Sequence, residues 1–374
     1  MQTPRYEYSK AMLQERITYL LGLSLPYGYT LRYAVKANPF APIIELMNEQ
    51  GVHFDASSSY EAQYLLSLGI LGSHISLSSQ QSPHNLQELL ALKVQFVATS
   101  IQQLETFLET EGRENTVAVR INPEVGYGHN NRTSTGGRNS SFGIWHEYAK
   151  AILEKVTQHN VTISRVHIHV GSGADPSVWG SVMDAALSTM ELFPDATVLD
   201  IGGGFKVHRY GDENEADMEA IAAIFTKKLT TFYERTLRKL HLEIEPGTYF
   251  VAHAGTLVAT VDDIVDTGKE GHTFLRLNTG MNDFLRSTLY GARHKIEVVA
   301  TSPNTKAYVV VGHNCESGDI LTPEAGNPEA IEPRVLTEAK IGDEVRISDV
   351  GAYCGSMRAK GYNAFPDALE IMVA

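Results

Sequence analysis

Cysteine is nearly absent. Cys315 and Cys354 form neither a CxxC pair nor a paired framework, which excludes a disulfide-stapled secreted scaffold and fits a reducing compartment. No uncharged apolar run approaches the length of a membrane span, and residues 1–10 are polar with no signal-peptide core, so a soluble cytoplasmic protein is expected. Basic residues are also short: 31 Lys and Arg face 44 Asp and Glu, for a net charge of -13. That balance argues against nucleic acid or an anionic membrane as the main partner. Low-complexity linkers and repeats of solenoid or propeller period are missing too. What remains is small-molecule chemistry on a chain of 374 residues, 43% apolar, long enough for two domains of which one is an α/β barrel.

The pattern along the chain fills in that outline. Residues 5–8 read as a short strand, and Met12, Leu13, Ile17, Leu20 and Leu21 share one face of a helix. Apolar strands are then expected at 31–35, 52–56, 74–77, 96–98, 117–121, 165–170, 198–201 and 242–244, with helices at 41–50, 59–68, 101–109, 147–159 and 217–240. Eight strands with helices between them make a (β/α)8 TIM-like barrel. Beyond it, strands are expected at 256–264, 274–277, 295–299, 307–311, 344–348 and 368–373, with one helical pattern at 281–290 and turns at 301–304 and 323–333. The expected division is a barrel over 25–250, with 1–24 and 251–374 forming a mostly-β domain, a β-barrel or sandwich, that completes the site and a dimer interface.

In such a barrel the chemistry gathers at the C-terminal mouths of the strands. Lys36 follows the apolar run Leu31, Tyr33, Ala34 and Val35 and precedes Asn38-Pro39, which cannot continue a strand. A lysine at a strand end is by itself an ordinary surface residue. Flanked by apolar neighbours, it is expected to be partly desolvated, with the lowered amine pKa that suits attack on an aldehyde. Asp55 lies at the second mouth and Arg120 near the fifth or sixth. His167 and His169 share a strand that ends in Gly171-Ser172-Gly173, Asp200 precedes Gly202-Gly203-Gly204, and Glu243 and Glu245 precede Gly247. Successive glycines after a strand let backbone N–H groups approach an anion, the usual form of a phosphate cradle. A metal-dependent hydrolase would use His167 and His169 together with further ligands at other mouths. His208, His241 and His253 are not at strand ends, so no metal is expected.

Several stretches carry a resemblance. In chain order they are YAVKANP from Tyr33, FDASSSYEA from Phe54, VRINPEV from Val119, the STG and FGI loop ending at Ile144, HIHVGSG from His167, LDIGGGF from Leu199, EIEPGTYFVA from Glu243, GMNDFLRSTLYGARHKI from Gly280, CESGD from Cys315 and DVGAYCGSM from Asp349. With them the chain resembles the fold-type-III pyridoxal 5'-phosphate-dependent decarboxylases of the alanine-racemase-like barrel class, and is most similar to diaminopimelate decarboxylases.

The resemblance implies that Lys36 carries the cofactor. It implies that His169 stacks on the ring, that Ser172 and Gly202, Gly203 and Gly204 hold the phosphate with Tyr353, and that Glu245 faces the ring nitrogen, with Asp55, Arg120 and Gly247 completing the pocket. A carboxylate beside that nitrogen keeps it protonated and the ring an electron sink. The resemblance further implies a homodimer with shared active sites, in which Cys315 arrives from the partner to deliver a proton and Glu316 binds the substrate's distal amine. Arg286, Tyr290 and Tyr353 would contact the rest of the substrate, Arg286 forking a distal carboxylate.

The reaction implied is decarboxylation of meso-diaminopimelate to L-lysine, a step of lysine biosynthesis. One departure matters: Thr248 stands where the family has arginine. It favours, as the alternative, a decarboxylase for ornithine, lysine, arginine or carboxynorspermidine, of either configuration. Ser287-Thr288 and Cys354 are smaller departures, and Arg138 in the loop 126–143 is a candidate for the missing charge if that loop closes over the site. A non-catalytic pyridoxal phosphate carrier would leave the second domain and Cys315-Glu316 unexplained, and a racemase would need a tyrosine where Cys315 stands.

Overall fold

The computed structural model describes residues 2–126, 136–211 and 213–374. Strand β1 (Arg5–Ser9) runs into helix α1 (Lys10–Leu21). Ser9 caps that helix by accepting from Met12 N at 3.3 Å, and Leu13, Ile17 and Leu20 form its buried face. Parallel strands and helices then alternate through β2 (Tyr29–Ala34), α2 (Ala41–Glu49), β3 (His53–Ala56), α3 (Ser59–Ser67), β4 (Ile75–Ser78), α4 (Leu86–Ala91), β5 (Gln95–Ala98) and α5 (Ile101–Glu109). The second half follows as β6 (Thr116–Asn122), β7 (Ile144–Trp145), α6 (Ala149–Gln158), β8 (Thr162–His167), α7 (Pro176–Glu191), β9 (Val198–Asp200), α8 (Met218–Thr236) and β10 (His241–Ile244). Because β2 pairs with both β3 and β10 while β5 pairs with β6, the sheet closes into an eight-stranded barrel, with β7 a short ribbon on β6.

The barrel is the one the alternation predicts, with local differences. Helices α4 and α7 were not anticipated, although α7 carries its own start signal: Asp175 accepts from Ser177 N at 2.8 Å and Pro176 takes the first helical position. Strand β8 ends at His167 rather than at 170. Ile168 N still donates to Asp200 O, but Gly171 at φ 130 turns the chain away from the sheet.

Strand alternation places a charged layer across the barrel floor. The Arg32 guanidinium grips both Glu243 oxygens at 2.9 Å and donates to Gln95 Oε1 at 2.7 Å. Arg165 reaches Ser76 Oγ at 2.9 Å, Glu243 at 2.7 Å and, closest of all, Asp200. All four charged side chains are buried. Burial alone would release the Arg165 proton; Glu243, Asp200 and Glu245 outweigh it and raise the pKa. In Glu243 burial favours the protonated form, but Arg165 and Arg32 prevail and keep it ionised.

Past the one-turn helix α9 (Thr248–Val251) come β11 (Gly255–Asp266), β12 (Thr273–Leu277), α10 (Arg286–Tyr290), β13 (Ile296–Val299), β14 (Thr305–Val311), β15 (Pro323–Glu324), β16 (Asn327–Ile331), β17 (Arg334–Thr337), β18 (Glu344–Ser348) and β19 (Leu369–Val373), which build a second sheet and, from β15 and β16, a separate ribbon. The main path runs β13-β18-β11-β12-β14-β17, and β1 pairs antiparallel with β11 and parallel with β19. The first strand of the chain therefore belongs to the second sheet. Buried Leu257, Leu275, Leu277, Val345 and Ile347 make its core.

Two expectations fail here. The helix expected over 281–290 is only Arg286–Tyr290, because Met281 N is tied to Asp319 Oδ1 at 2.7 Å and a tight turn on Gly280 precedes it. The stretch 323–333, expected as turns, holds the β15-β16 hairpin.

Candidate active site

Lys36 stands at the mouth of β2, in a single 3-10 turn over Val35–Ala37 that Asn38 ends. The turn is bolted from several sides. Tyr33 donates to Asn38 O at 2.8 Å, and Asn38 Nδ2 donates to Gly351 O at 2.9 Å. Tyr353 N and Ser356 Oγ both donate to Ala37 O, at 2.8 and 3.1 Å. The stretch 351–356, from the end of the second domain, thus clamps the Lys36 turn. Gly247 packs so close beneath it that a side chain there would meet the Ala37 methyl at 2.9 Å.

Lys36 Nζ donates to Ser57 Oγ at 2.9 Å and lies 3.5 Å from Asp55 Oδ2. Its side chain keeps 48% of its exposure because the mouth above is open. The expected lowering of its pKa is not found. The crowded mouth pushes the amine down, but Asp55, Tyr353 and Glu245 prevail, so in this ligand-free pocket Lys36 is held as ammonium, with Arg120 opposing. Sequence neighbours suggested an apolar setting; neighbours in space, from other strands, are acidic. Ser57 was not singled out from the sequence, although it lies within FDASSSYEA. In that stretch Ser58 caps α3 by accepting from Glu61 N at 3.1 Å while Glu61 accepts from Ser57 N at 2.6 Å, which fixes the Ser57 hydroxyl toward Lys36.

Around Lys36 the mouth carries buried polar groups with unused atoms. Asp55 Oδ1, Arg120 Nη2 and Glu245 Oε1 have no hydrogen-bond partner. Burial raises the pKa of Glu245 well above the ordinary carboxylate range, with Asp200 and Asp55 adding to it and Arg165 opposing. Arg120 rests its guanidinium 4.9 Å from the centre of the Phe142 ring. His167 Nδ1 lies 3.2 Å from Ser78 Oγ and its Nε2 3.5 Å from Glu245 Oε2. Burial, then Arg120, hold His169 well below the usual imidazole range, so its ring is neutral.

The glycines close the wall. A Cβ on Gly202 would sit 2.4 Å from His169 Nδ1, one on Gly203 2.1 Å from Glu245 O, and one on Gly204 2.0 Å from Gly171 O and 3.0 Å from Ser172 Cα. Gly202 and Gly204 also have positive φ, 68 and 108. The triplet therefore lies directly against His169, Glu245 and the Gly171-Ser172 turn, closer than any residue with a side chain could.

These features fit pyridoxal phosphate: a lysine fixed by its turn, a flat neutral ring on Gly202, an unfilled carboxyl oxygen on Glu245 and a side-chain-free backbone cradle. They do not fit a metal. His167, Asp200 and Glu245 bring ligand atoms within 4.8 Å of one another. The Arg165 guanidinium already contacts Asp200 and lies 3.8 Å from Glu245, which supplies the positive charge.

Of the other expected residues, Arg286 and Tyr290 share α10, with the guanidinium 5.8 Å from the Tyr290 ring centre, and burial pushes the Tyr353 phenol up, with Lys36 and Arg286 opposing. Cys315 and Glu316 are exposed on the loop after β14. Cys315 N donates to Asn363 Oδ1 at 2.7 Å, and Tyr362 reaches Glu316 Oε2 at 3.4 Å. Among the described residues neither touches Lys36 or Tyr353, so a single chain does not bring them into the pocket. Ser134 and Thr135 of the STG stretch lie outside the described residues. Arg138 does not supply charge to the site, being 78% exposed and paired with Glu124.

Comparison with known proteins agrees with this geometry. The family model described as pyridoxal-dependent decarboxylase, pyridoxal binding domain, matches residues 15–252. Diaminopimelate decarboxylase of Streptomyces coelicolor is 30% identical over 99% of this chain and 84% of its own length. That of Escherichia coli K12 is 30% identical over 91% of this chain and 83% of its own. The crystal structure of diaminopimelate decarboxylase from Helicobacter pylori complexed with L-lysine superposes with a TM-score of 0.87 at 27% identity, covering 100% of this chain and 92% of that one.

Proposed function

The chain belongs to the pyridoxal-dependent decarboxylases, and from that premise we propose that it decarboxylates meso-diaminopimelate to L-lysine. The observation that carries the substrate is Arg286. It has no carboxylate partner among the described residues, and its Nε is buried without a hydrogen bond. A guanidinium held over an alkyl tail would remain unpaired at a cost of several kcal/mol, whereas a distal carboxylate satisfies it bidentately.

When bound, pyridoxal phosphate supplies an electron sink for the pair of electrons left as CO2 departs. The protein's part is placement and proton control. Lys36 is the residue that carries the cofactor, and Ser57 and Asp55 fix its amine. Glu245, with its buried Oε1 unfilled, would face the ring nitrogen. His169 packs its neutral ring against the cofactor. Arg120 and Gly247 complete the wall, and Ser172, Gly202, Gly203 and Gly204, with the Tyr353 hydroxyl, take the phosphate. Tyr290 borders the substrate tail with Arg286.

The catalytic unit in this reading is a homodimer. Cys315 and Glu316 enter from the partner subunit, Cys315 to return a proton to carbon and Glu316 to bind the distal ammonium. Residues 25–250 form the cofactor-binding unit, and 1–24 with 251–374 the unit that completes the site. Mixing inactive Lys36→Ala and Cys315→Ala proteins would then restore part of the activity, because one hybrid site receives both intact residues; no recovery on subunit exchange points to sites built within one chain.

Thr248 sustains a second reading, a decarboxylase for ornithine, lysine, arginine or carboxynorspermidine. CO2 release from each, in both configurations of the amino acids, compared with meso-diaminopimelate decides between them by kcat/KM. The first reading stands if diaminopimelate leads and falls if it is not turned over.

A further inference from the structure

Arg209 lies in the loop after the glycine triplet and is only 8% exposed. Its Nε donates to Asp349 O at 3.3 Å, and its backbone N to Glu213 Oε2 at 3.1 Å. Its Nη2 is buried with no hydrogen-bond partner. The neighbouring Tyr210 holds the loop in place, with the Arg334 guanidinium 4.0 Å and that of Arg293 5.3 Å from its ring centre. The carbonyl that anchors Arg209 belongs to the same turn that carries Tyr353 to Lys36, so the loop is tied to the mouth.

Arg293, three residues past the end of α10, meets the Arg209 loop at Tyr210 and lies 3.7 Å from where a Gly211 side chain would start, so the helix that carries Arg286 adjoins that loop; the Arg286 Nε is also buried and unfilled. Burial pushes the Cys354 thiol, next to Tyr353, up to about 11, with the Arg286 and Arg209 charges opposing. Burial, and Arg286 second, bring Arg209 down to about 10, while Cys354, Glu213 and Asp349 oppose that shift. Among the described residues no carboxylate forms an ion pair with either arginine. Two buried like charges with unfilled donors repel each other, and an anion between them turns that cost into two charge-assisted contacts.

We propose that Arg209 and Arg286 form a two-guanidinium clamp on the substrate's distal carboxylate, with Arg209 supplying the positive charge that Thr248 does not. Arg209 is then a specificity-determining residue. The clamp rests on the reading that the substrate is a dicarboxylic diamino acid. The phosphate is provided for separately, by the backbone of Gly202 to Gly204.

The test uses the holoenzyme with pimelate, a dicarboxylate of the substrate's length without its amines, and cadaverine, a diamine without either carboxylate, each as a competitive inhibitor. In Arg209→Gln the pimelate Ki rises about 10- to 100-fold, as expected for loss of one charged contact. The cadaverine Ki and the affinity of the apoprotein for pyridoxal phosphate stay within about threefold, the scale of an ordinary surface change. Arg209→Lys, which keeps the charge and loses the fork, raises the pimelate Ki about threefold or more and decides the matter if the Gln variant does not fold.

An unchanged pimelate Ki overturns the clamp. A loss of cofactor affinity that parallels the loss of pimelate also overturns it, by making Arg209 a phosphate ligand. Failure of the substrate reading is a separate result: wild-type enzyme that does not decarboxylate diaminopimelate refutes that reading, whatever Arg209→Gln does to pimelate.

Discussion

The floor and the mouth of the barrel are made of the same residue types and behave oppositely. On the floor, Arg32, Arg165, Glu243 and Asp200 pair among themselves and with Ser76 and Gln95, leaving only the Arg165 Nε without a partner. At the mouth, Asp55, Arg120, Glu245, Arg209 and Arg286 each keep a buried atom with no partner. Burying an unsatisfied polar group is costly, so a cluster of them persists where something else completes it. Between these two layers the difference lies in how many buried polar atoms are left over, not in charge.

The largest effect expected is at the mouth. Lys36→Ala lowers decarboxylation about 10⁴-fold or more, as loss of a covalent-catalysis residue does. Thermal unfolding stays near wild type, because the lysine is half exposed and its neighbours retain their own contacts. A large fall in Tm would blur the distinction between floor and mouth.

Next comes the floor. Glu243→Gln leaves Arg32 and Arg165 short of a carboxylate, and stability falls by about 3–5 kcal/mol in denaturant titration. Activity per folded molecule changes far less than in Lys36→Ala. Equal stability in the variant would show that the floor network is not needed by the scaffold.

Arg286→Ala is a smaller loss on the functional side. The kcat/KM for diaminopimelate falls about 100-fold, near 2.7 kcal/mol, while stability is unchanged or improved by removing an unpaired buried charge. An unaffected kcat/KM would remove Arg286 from the substrate site.

The smallest effect concerns the joint between the domains. His253 bridges Asp349 at 2.5 Å and Glu215 at 2.9 Å, and these hydrogen bonds raise its pKa to about 9 against burial. A folded pKa above the unfolded value of about 6.5 gives stability that is full below about pH 6.5 and is lost as pH rises through about 9. At this partly exposed pair the contribution is about 1–2 kcal/mol after screening by solvent. His253→Gln therefore flattens the decline in Tm between pH 6.5 and 9, relative to wild type. Parallel curves for the two proteins would contradict this.

Much of the fold was legible because eight short apolar strands with helices between them have few solutions. The β15-β16 hairpin was hidden by Pro323 and Pro328, which argue against central strands and are tolerated in a short ribbon. The expected helix over 281–290 followed apolar spacing that the bond from Met281 to Asp319 overrides. In the site, Lys36 and the glycine triplet were readable because local chain geometry requires them. Arg165 was within reach too, since it lies two residues before His167 and alternation turns both inward. The sign of the Lys36 shift was not, because Asp55 and Glu245 reach it from other strands. Nor was Arg209, whose significance depends on Asp349 and Arg286, distant in the chain.

The most direct test of the mouth as a site completed by its ligand is where the cofactor attaches. Borohydride reduction of the holoenzyme, followed by proteolysis and mass mapping, is predicted to place the pyridoxyl group on the peptide containing Lys36. Reduction in Glu243→Gln is predicted to give the same peptide. A pyridoxyl group on another lysine, or none after incubation with pyridoxal phosphate, contradicts the account.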